Sequence, residues 1–150
     1  MSEIIKRSSK SAGNAGEYYI AYMLSRLGIS AALTTSGTSA VDIIATIDGS
    51  KSISIQVKGS WARSEPRQWM VGKHMPNVSP DFFYVFCNMS ETIENVSAPE
   101  VFIVPSQIVA DTSTWHHSVP LFKIPKGMDD LYKDQWDMIL QALNHVNESH

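Results

Sequence analysis

The sequence predicts a mixed α/β domain, and three observations carry that reading. Helical periodicity near the N-terminus gives way to two alternating strand segments joined by a turn. Residues 82–87 and 101–104 are continuous apolar runs, as expected of strands covered on both faces. An amphipathic segment then closes the chain. The 150 residues suit one domain with its own core. Residues 13–150 are assigned to it, and residues 1–12 to a flexible leader.

Asn14 is placed to cap a helix running to about Leu27, with Gly28 just past its end. Ile20, Leu24 and Leu27 make its apolar stripe. Residues 31–34 read as a short strand, 35–39 as a loop, 41–47 as a strand, Asp48-Gly49-Ser50 as a turn and 52–58 as a second strand. Gly59, Pro66, Gly72, Pro76 and Pro80 mark 59–80 as loop around a short strand at 69–71. Beyond the two apolar runs, Pro105-Ser106 opens a short helix to Ala110. Residues 121–124 read as a final edge strand, and 129–146 as a terminal helix with Leu131, Trp136, Ile139, Leu140 and Leu143 on its apolar face. The order helix, three strands, loop, two strands, helix is not that of a doubly wound dinucleotide fold.

Cys87 is the only cysteine and lies in an apolar run, which points to packing and to a reducing compartment. No secretory leader is visible, and no apolar run approaches the roughly 20 residues of a membrane helix. A cytoplasmic protein without membrane contact is expected. The net charge of −3 argues mildly against a nucleic-acid partner, but Lys and Arg outnumber Asp and Glu nine to five before residue 75. A basic face over one half of the molecule is compatible with that distribution.

The chemistry concentrates in two strands. Side chains alternate across a strand, so Ser54, Gln56 and Lys58 share one face while Ile53, Ile55 and Val57 share the other. Val41, Ile43 and Ala45 likewise lie opposite to Asp42. An odd-length loop such as Asp48-Gly49-Ser50 pairs Ile47 with Lys51 and sets Asp42 opposite Gln56. Glu17 precedes Ile20, Ala21 and Leu24 at helical spacing, so it starts on the apolar stripe and is directed toward whatever the helix packs on. Two acids, an amide oxygen and a lysine suit metal-assisted phosphodiester cleavage, because Mg²⁺ prefers a few hard oxygen ligands. A blander reading makes Glu17 the partner of Asn14 in a capping box, Asp42 a strand-edge acid and Lys58 a solvated lysine.

At Gly13-Asn14-Ala15-Gly16-Glu17, Val41-Asp42-Ile43-Ile44-Ala45 and Gln56-Val57-Lys58 the chain resembles the PD-(D/E)XK nuclease superfamily, especially its Holliday-junction-resolvase-like and restriction-endonuclease-like members. The resemblance covers roughly residues 13–60. It implies a restriction-endonuclease-like mixed sheet flanked by helices. It also implies Mg²⁺ or Mn²⁺ as cofactor, held by Asp42 and Gln56, the main-chain carbonyl of Val57 and, as an outer or second-metal ligand, Glu17. Lys58 would be the catalytic lysine. Two departures stand out: no proline precedes Asp42, and Gln56 replaces the usual Asp or Glu, keeping an oxygen but losing a charge.

The function expected is therefore a divalent-metal-dependent endonuclease hydrolysing phosphodiesters of DNA, including branched or structured DNA. A homodimer is expected because two sites cut two strands most simply. Arg63, Arg67 and Lys73, interleaved with Trp61 and Trp69, are candidate nucleic-acid contacts, although tryptophans there also suit loop anchoring. Two other readings remain open: an inactive nucleic-acid-binding module on the same fold, and a regulatory domain docking a partner through its terminal helix.

Overall fold

The computed structural model describes residues 7–35, 40–61, 66–89 and 97–144. Helix α1 (Ser9–Arg26) is followed by β1 (Ser30–Leu33), β2 (Ile43–Thr46) and β3 (Ser52–Ser60). Next come β4 (Arg67–Met70), β5 (Phe82–Asn88) and β6 (Glu100–Pro105). Helix α2 (Ser106–Thr112), strands β7 (Thr114–His116) and β8 (Val119–Ile124), a 3₁₀ turn (Asp129–Leu131) and helix α3 (Trp136–Asn144) complete the order. Among the described residues no helix is long and apolar enough to cross a membrane.

Five strands form a mixed sheet in the order β1-β2-β3-β5-β6, in which only β3 and β5 run parallel. Period-2 alternation divides its side chains between two cores. Ile53, Ile55, Val57, Phe83, Val85 and Cys87 pack under Ile20 and Leu24 of α1 and Ile139 and Leu143 of α3. On the opposite face Tyr84, Phe86, Phe102 and Val104 pack against Trp69 and Phe122 of a second sheet, β4-β8-β7. This explains why β5 and β6 are apolar throughout, as their sequence implies: layers cover both faces. Burial pushes the Cys87 thiol up to about 12, in keeping with a packing role.

Several sequence expectations need correction. Helix α1 starts at Ser9 and takes in the last four residues of the assigned leader, and its cap is Ser8, not Asn14. Ser8 and Ser11 cap each other's backbone amides reciprocally. Glu17 is therefore mid-helix and takes no part in a capping box. The segment 121–124 is not an edge strand, because β8 lies between β4 and β7. The second sheet was not anticipated. The terminal helix begins only at Trp136: Tyr132 and Asp134 run beside β6, with Ile103 N donating to Tyr132 O and Asp134 N to Val101 O. Leu131 is consequently exposed and outside the apolar face. Residues 145 and 146 lie outside the described residues.

Candidate active site

The hairpin register agrees with an odd-length loop. Ile43 pairs with Ile55, Ala45 with Ile53 and Thr46 with Ser52, leaving five residues in the turn. Asp48 organises that turn by accepting from Ser50 N at 2.9 Å. Ladder pairing stops at Ile43, however. Asp42 N donates to Ile55 O at 2.9 Å, sharing the ladder partner of Ile43, so Asp42 does not sit directly opposite Gln56. Thr34 N in turn donates to Asp42 O at 2.9 Å.

With β2 ending there, no strand among the described residues pairs with the β3 edge at Val57. The Asp42 side chain fills the gap: Val57 N donates to Asp42 Oδ2 at 2.7 Å. The Val57 carbonyl points to the same edge as its amide, because both groups of a strand residue face one neighbour. An acid and a main-chain oxygen thus meet at the rim of the sheet. Burial raises the Asp42 carboxyl, while the Val57 amide and the Lys58 ammonium oppose the rise.

Gln56 and Lys58 project from the face away from α1, as alternation requires. The Gln56 amide satisfies its neighbours in one orientation. Nε2 donates to Tyr84 Oη at 3.2 Å and to Ala40 O at 3.1 Å, and Oε1 accepts from Lys58 Nζ at 3.2 Å. The reverse orientation would set oxygen against oxygen. Burial lowers the Lys58 pKa, and Asp42 counters by favouring its charged form. A cleft of about 540 Å³ opens beside Lys58, lined also by Ser9, Gly59, Trp61 and Met70.

Glu17 reaches the same rim from the other layer. Helix α1 sits unusually close to β3: a Cβ on Gly16 would lie 3.2 Å from Val57 Cγ1. Burial raises the Glu17 carboxyl, and the nearby Asp42 charge raises it further. The four residues therefore converge at the sheet rim beside β3, Glu17 from one layer, Gln56 and Lys58 from the other, and Asp42 between them. Among the described residues no cluster of three His, Cys, Asp or Glu side chains forms. Hard oxygen donors are nonetheless present in Asp42, Glu17, the Val57 carbonyl and Gln56 Oε1, which suits a Mg²⁺ or Mn²⁺ ion.

The chain superposes on the bacterial homing endonuclease I-Ssp6803I with a TM-score of 0.66 and 15% identity, covering 96% of this chain and 100% of that one. The mixed α/β fold is similar to that of this endonuclease, a restriction-endonuclease-like architecture. The Holliday junction resolvase Hjc of Archaeoglobus fulgidus aligns at TM-score 0.49 and 12% identity, over 83% of this chain and 93% of that one. No protein-family model and no curated protein matches the sequence.

Within this fold the candidate nucleic-acid contacts have different fates. Arg67 faces inward, with a bidentate pair to Glu100 at 3.1 and 2.8 Å and a third contact to Asp129 at 3.0 Å. Its side chain is 16% exposed and that of Glu100 6%. Its charge is neutralised inside the protein, where it ties β4 to β6 and the 3₁₀ turn. Lys73 is exposed, and Arg63 lies outside the described residues. Trp61 anchors α1, donating Nε1–H to Ser8 O at 3.1 Å while Arg7 lies 3.9 Å over its ring. Trp69 is core, packed on Phe86, Phe102 and Phe122. Sequence reasoning missed Tyr84, Ala40, Gly16 and Gly59. The glycines beside Glu17 and Lys58 were the available signal for close helix–strand approach.

Proposed function

We propose that this chain is a divalent-metal-dependent endonuclease that hydrolyses phosphodiester bonds of DNA. The observation that carries the reading is the Asp42 carboxylate held on the Val57 amide, within electrostatic reach of the partly buried Lys58. Likeness of fold to a homing endonuclease supports it. Asp42, Glu17, the Val57 carbonyl and Gln56 Oε1 are the groups that would hold Mg²⁺ or Mn²⁺. When bound, such an ion polarises the phosphate and makes a bound water more acidic.

The chain's own residues do the rest. Val57 N fixes Asp42 Oδ2, so the other carboxylate oxygen is presented in one direction. Gln56 Oε1 holds the Lys58 ammonium beside the acids, where it can orient the attacking water or stabilise negative charge on the phosphorane. Partial burial strengthens that charge–charge interaction relative to bulk water. The cleft beside Lys58 gives the sugar-phosphate chain room to approach, and exposed Lys73 is proposed as a phosphate contact. A homodimer would supply the second cut.

The test is cleavage of supercoiled plasmid, linear duplex and four-way junction by purified protein, with Mg²⁺, Mn²⁺ or EDTA. Metal-dependent cutting lost in both Asp42→Ala and Lys58→Ala supports the reading, and the substrate preferred identifies its class. Cutting that persists in EDTA or in either variant refutes it. DNA binding in EDTA without any cutting would indicate an inactive module.

A further inference from the structure

We propose that position 56 requires an amide, and that Tyr84 is a positioning residue which, with the Ala40 carbonyl, fixes the Gln56 amide and through it the Lys58 ammonium. Its catalytic consequence rests on the nuclease reading above; its geometry does not.

A backbone carbonyl carries lone pairs and no proton, so whatever faces Ala40 O must donate. Gln56 Nε2 has two hydrogens and two oxygens within reach, Ala40 O at 3.1 Å and Tyr84 Oη at 3.2 Å. With both hydrogens engaged, Oε1 faces the other way and accepts from Lys58 Nζ at 3.2 Å, which uses one of its two lone pairs. A carboxylate at position 56 would have no proton for Ala40 O and would set a charged oxygen against it. Gln56 is thus not a weakened version of the usual acid. Its surroundings are complementary to an amide.

Tyr84 is well made for this task. It is the direct neighbour of Gln56 in the parallel β3–β5 register. The residue is 2% exposed, and its ring stacks between Phe82 and Phe86 at centroid distances of 5.3 and 5.9 Å. Its hydroxyl oxygen can accept from Gln56 Nε2 while the ring holds it in place. The clamp also reaches the other half of the site. Ala40 lies two residues before Asp42, so Gln56 holds the chain entering Asp42 while Val57 N holds its carboxylate.

The experiment compares the wild-type chain of 150 residues with Tyr84→Phe and Gln56→Glu. Tyr84→Phe removes one oxygen and keeps the stacked ring. In ¹H–¹⁵N spectra of metal-free protein it should shift the Gln56 side-chain NH₂ pair. It should lower kcat about tenfold while leaving KM near the wild-type value, since misplacement of a reacting group acts on rate. Gln56→Glu should melt roughly 2–12 °C lower without metal, bind Mn²⁺ no more tightly and cleave at least about tenfold more slowly. An unmoved Gln56 NH₂ pair in Tyr84→Phe would overturn the clamp. So would a Gln56→Glu protein that melts like the wild type and gains metal affinity or rate. Should the wild type cut no DNA, the spectra and metal-free melts still decide the clamp, and the nuclease reading alone fails.

Discussion

The backbones of Ala12 and Gly59 meet so closely that a Cβ built on Gly59 would stand 2.5 Å from the Ala12 carbonyl oxygen. Together with Gly16 on Val57, this contact seats α1 on the part of β3 that flanks Lys58. Gly59→Ala must push helix and strand apart, at a cost of about 1–3 kcal/mol. It should also draw Glu17 away from Asp42, so cleavage should fall further than stability. Urea melts and plasmid nicking on the same preparation measure both. Gly13→Ala is the control: nothing lies within 4 Å of its Cβ, and alanine should stabilise the helix by about 0.5–1 kcal/mol.

Lys58 should behave as a residue that costs stability and supplies activity. Burial lowers its pKa, so the folded state binds the ammonium proton less tightly than the unfolded chain does. Stability from this group accordingly rises as pH climbs through the native pKa toward the unfolded value, and neutral pH lies on the costly side. Lys58→Met should therefore melt at or above the wild type at pH 7 and cleave nothing. Thermal melts and nicking assays check the two halves separately.

The two acids predict a pH effect of opposite sign. Burial raises Glu17 and Asp42, and on Glu17 the Asp42 charge adds to it. A raised carboxyl contributes stability that is present below its unfolded pKa and lost as pH rises through the native one. As pH rises above about 4, through the raised native values, these groups should therefore destabilise the metal-free protein progressively. Asp42→Asn, which keeps an oxygen for Val57 N, should flatten that slope. If the proposed metal site holds Mn²⁺, the ion should raise the melting temperature of the wild type and not that of Asp42→Asn. Melts across pH, with and without Mn²⁺, make the comparison.

The Arg67–Glu100–Asp129 network yields a structural prediction. Lys133 Nζ also approaches Glu100, at 3.7 Å. Removing the guanidinium in Arg67→Met takes the bidentate partner from a nearly buried Glu100 carboxylate, and breaking a buried pair costs up to about 3–5 kcal/mol, which the Lys133 ammonium partly offsets. DNA affinity per folded molecule should not change, because Arg67 is engaged within the protein. A loss of affinity in a still-folded variant, followed by fluorescence anisotropy, would return Arg67 to the interface.

What could be read in the sequence was what short-range periodicity encodes. Alternation through 53–58 placed Gln56 and Lys58 on one face, and the odd turn length set the register from Ile43 to Thr46. Local capping misled, because Ser8 and Ser11 form a reciprocal cap that lacks the usual glutamate. The second sheet escaped notice because β7 has three exposed residues and no alternation to detect. Arg67 looked like a free cation because its acids lie 33 and 62 positions away, at Glu100 and Asp129. Tyr84 was hidden within an apolar run whose hydroxyl has meaning only once β5 lies beside β3.

That parallel pairing has a consequence for biosynthesis. Gln56 and Lys58 take Tyr84 and Phe86 as strand neighbours, and these are translated only after β4 has been made. Such non-local pairing forms slowly and late. A nascent chain halted before residue 82 carries Glu17, Asp42 and Lys58 but not the strand that braces them. Truncated products should be inert toward DNA, so competence to cut would arrive only with a finished domain.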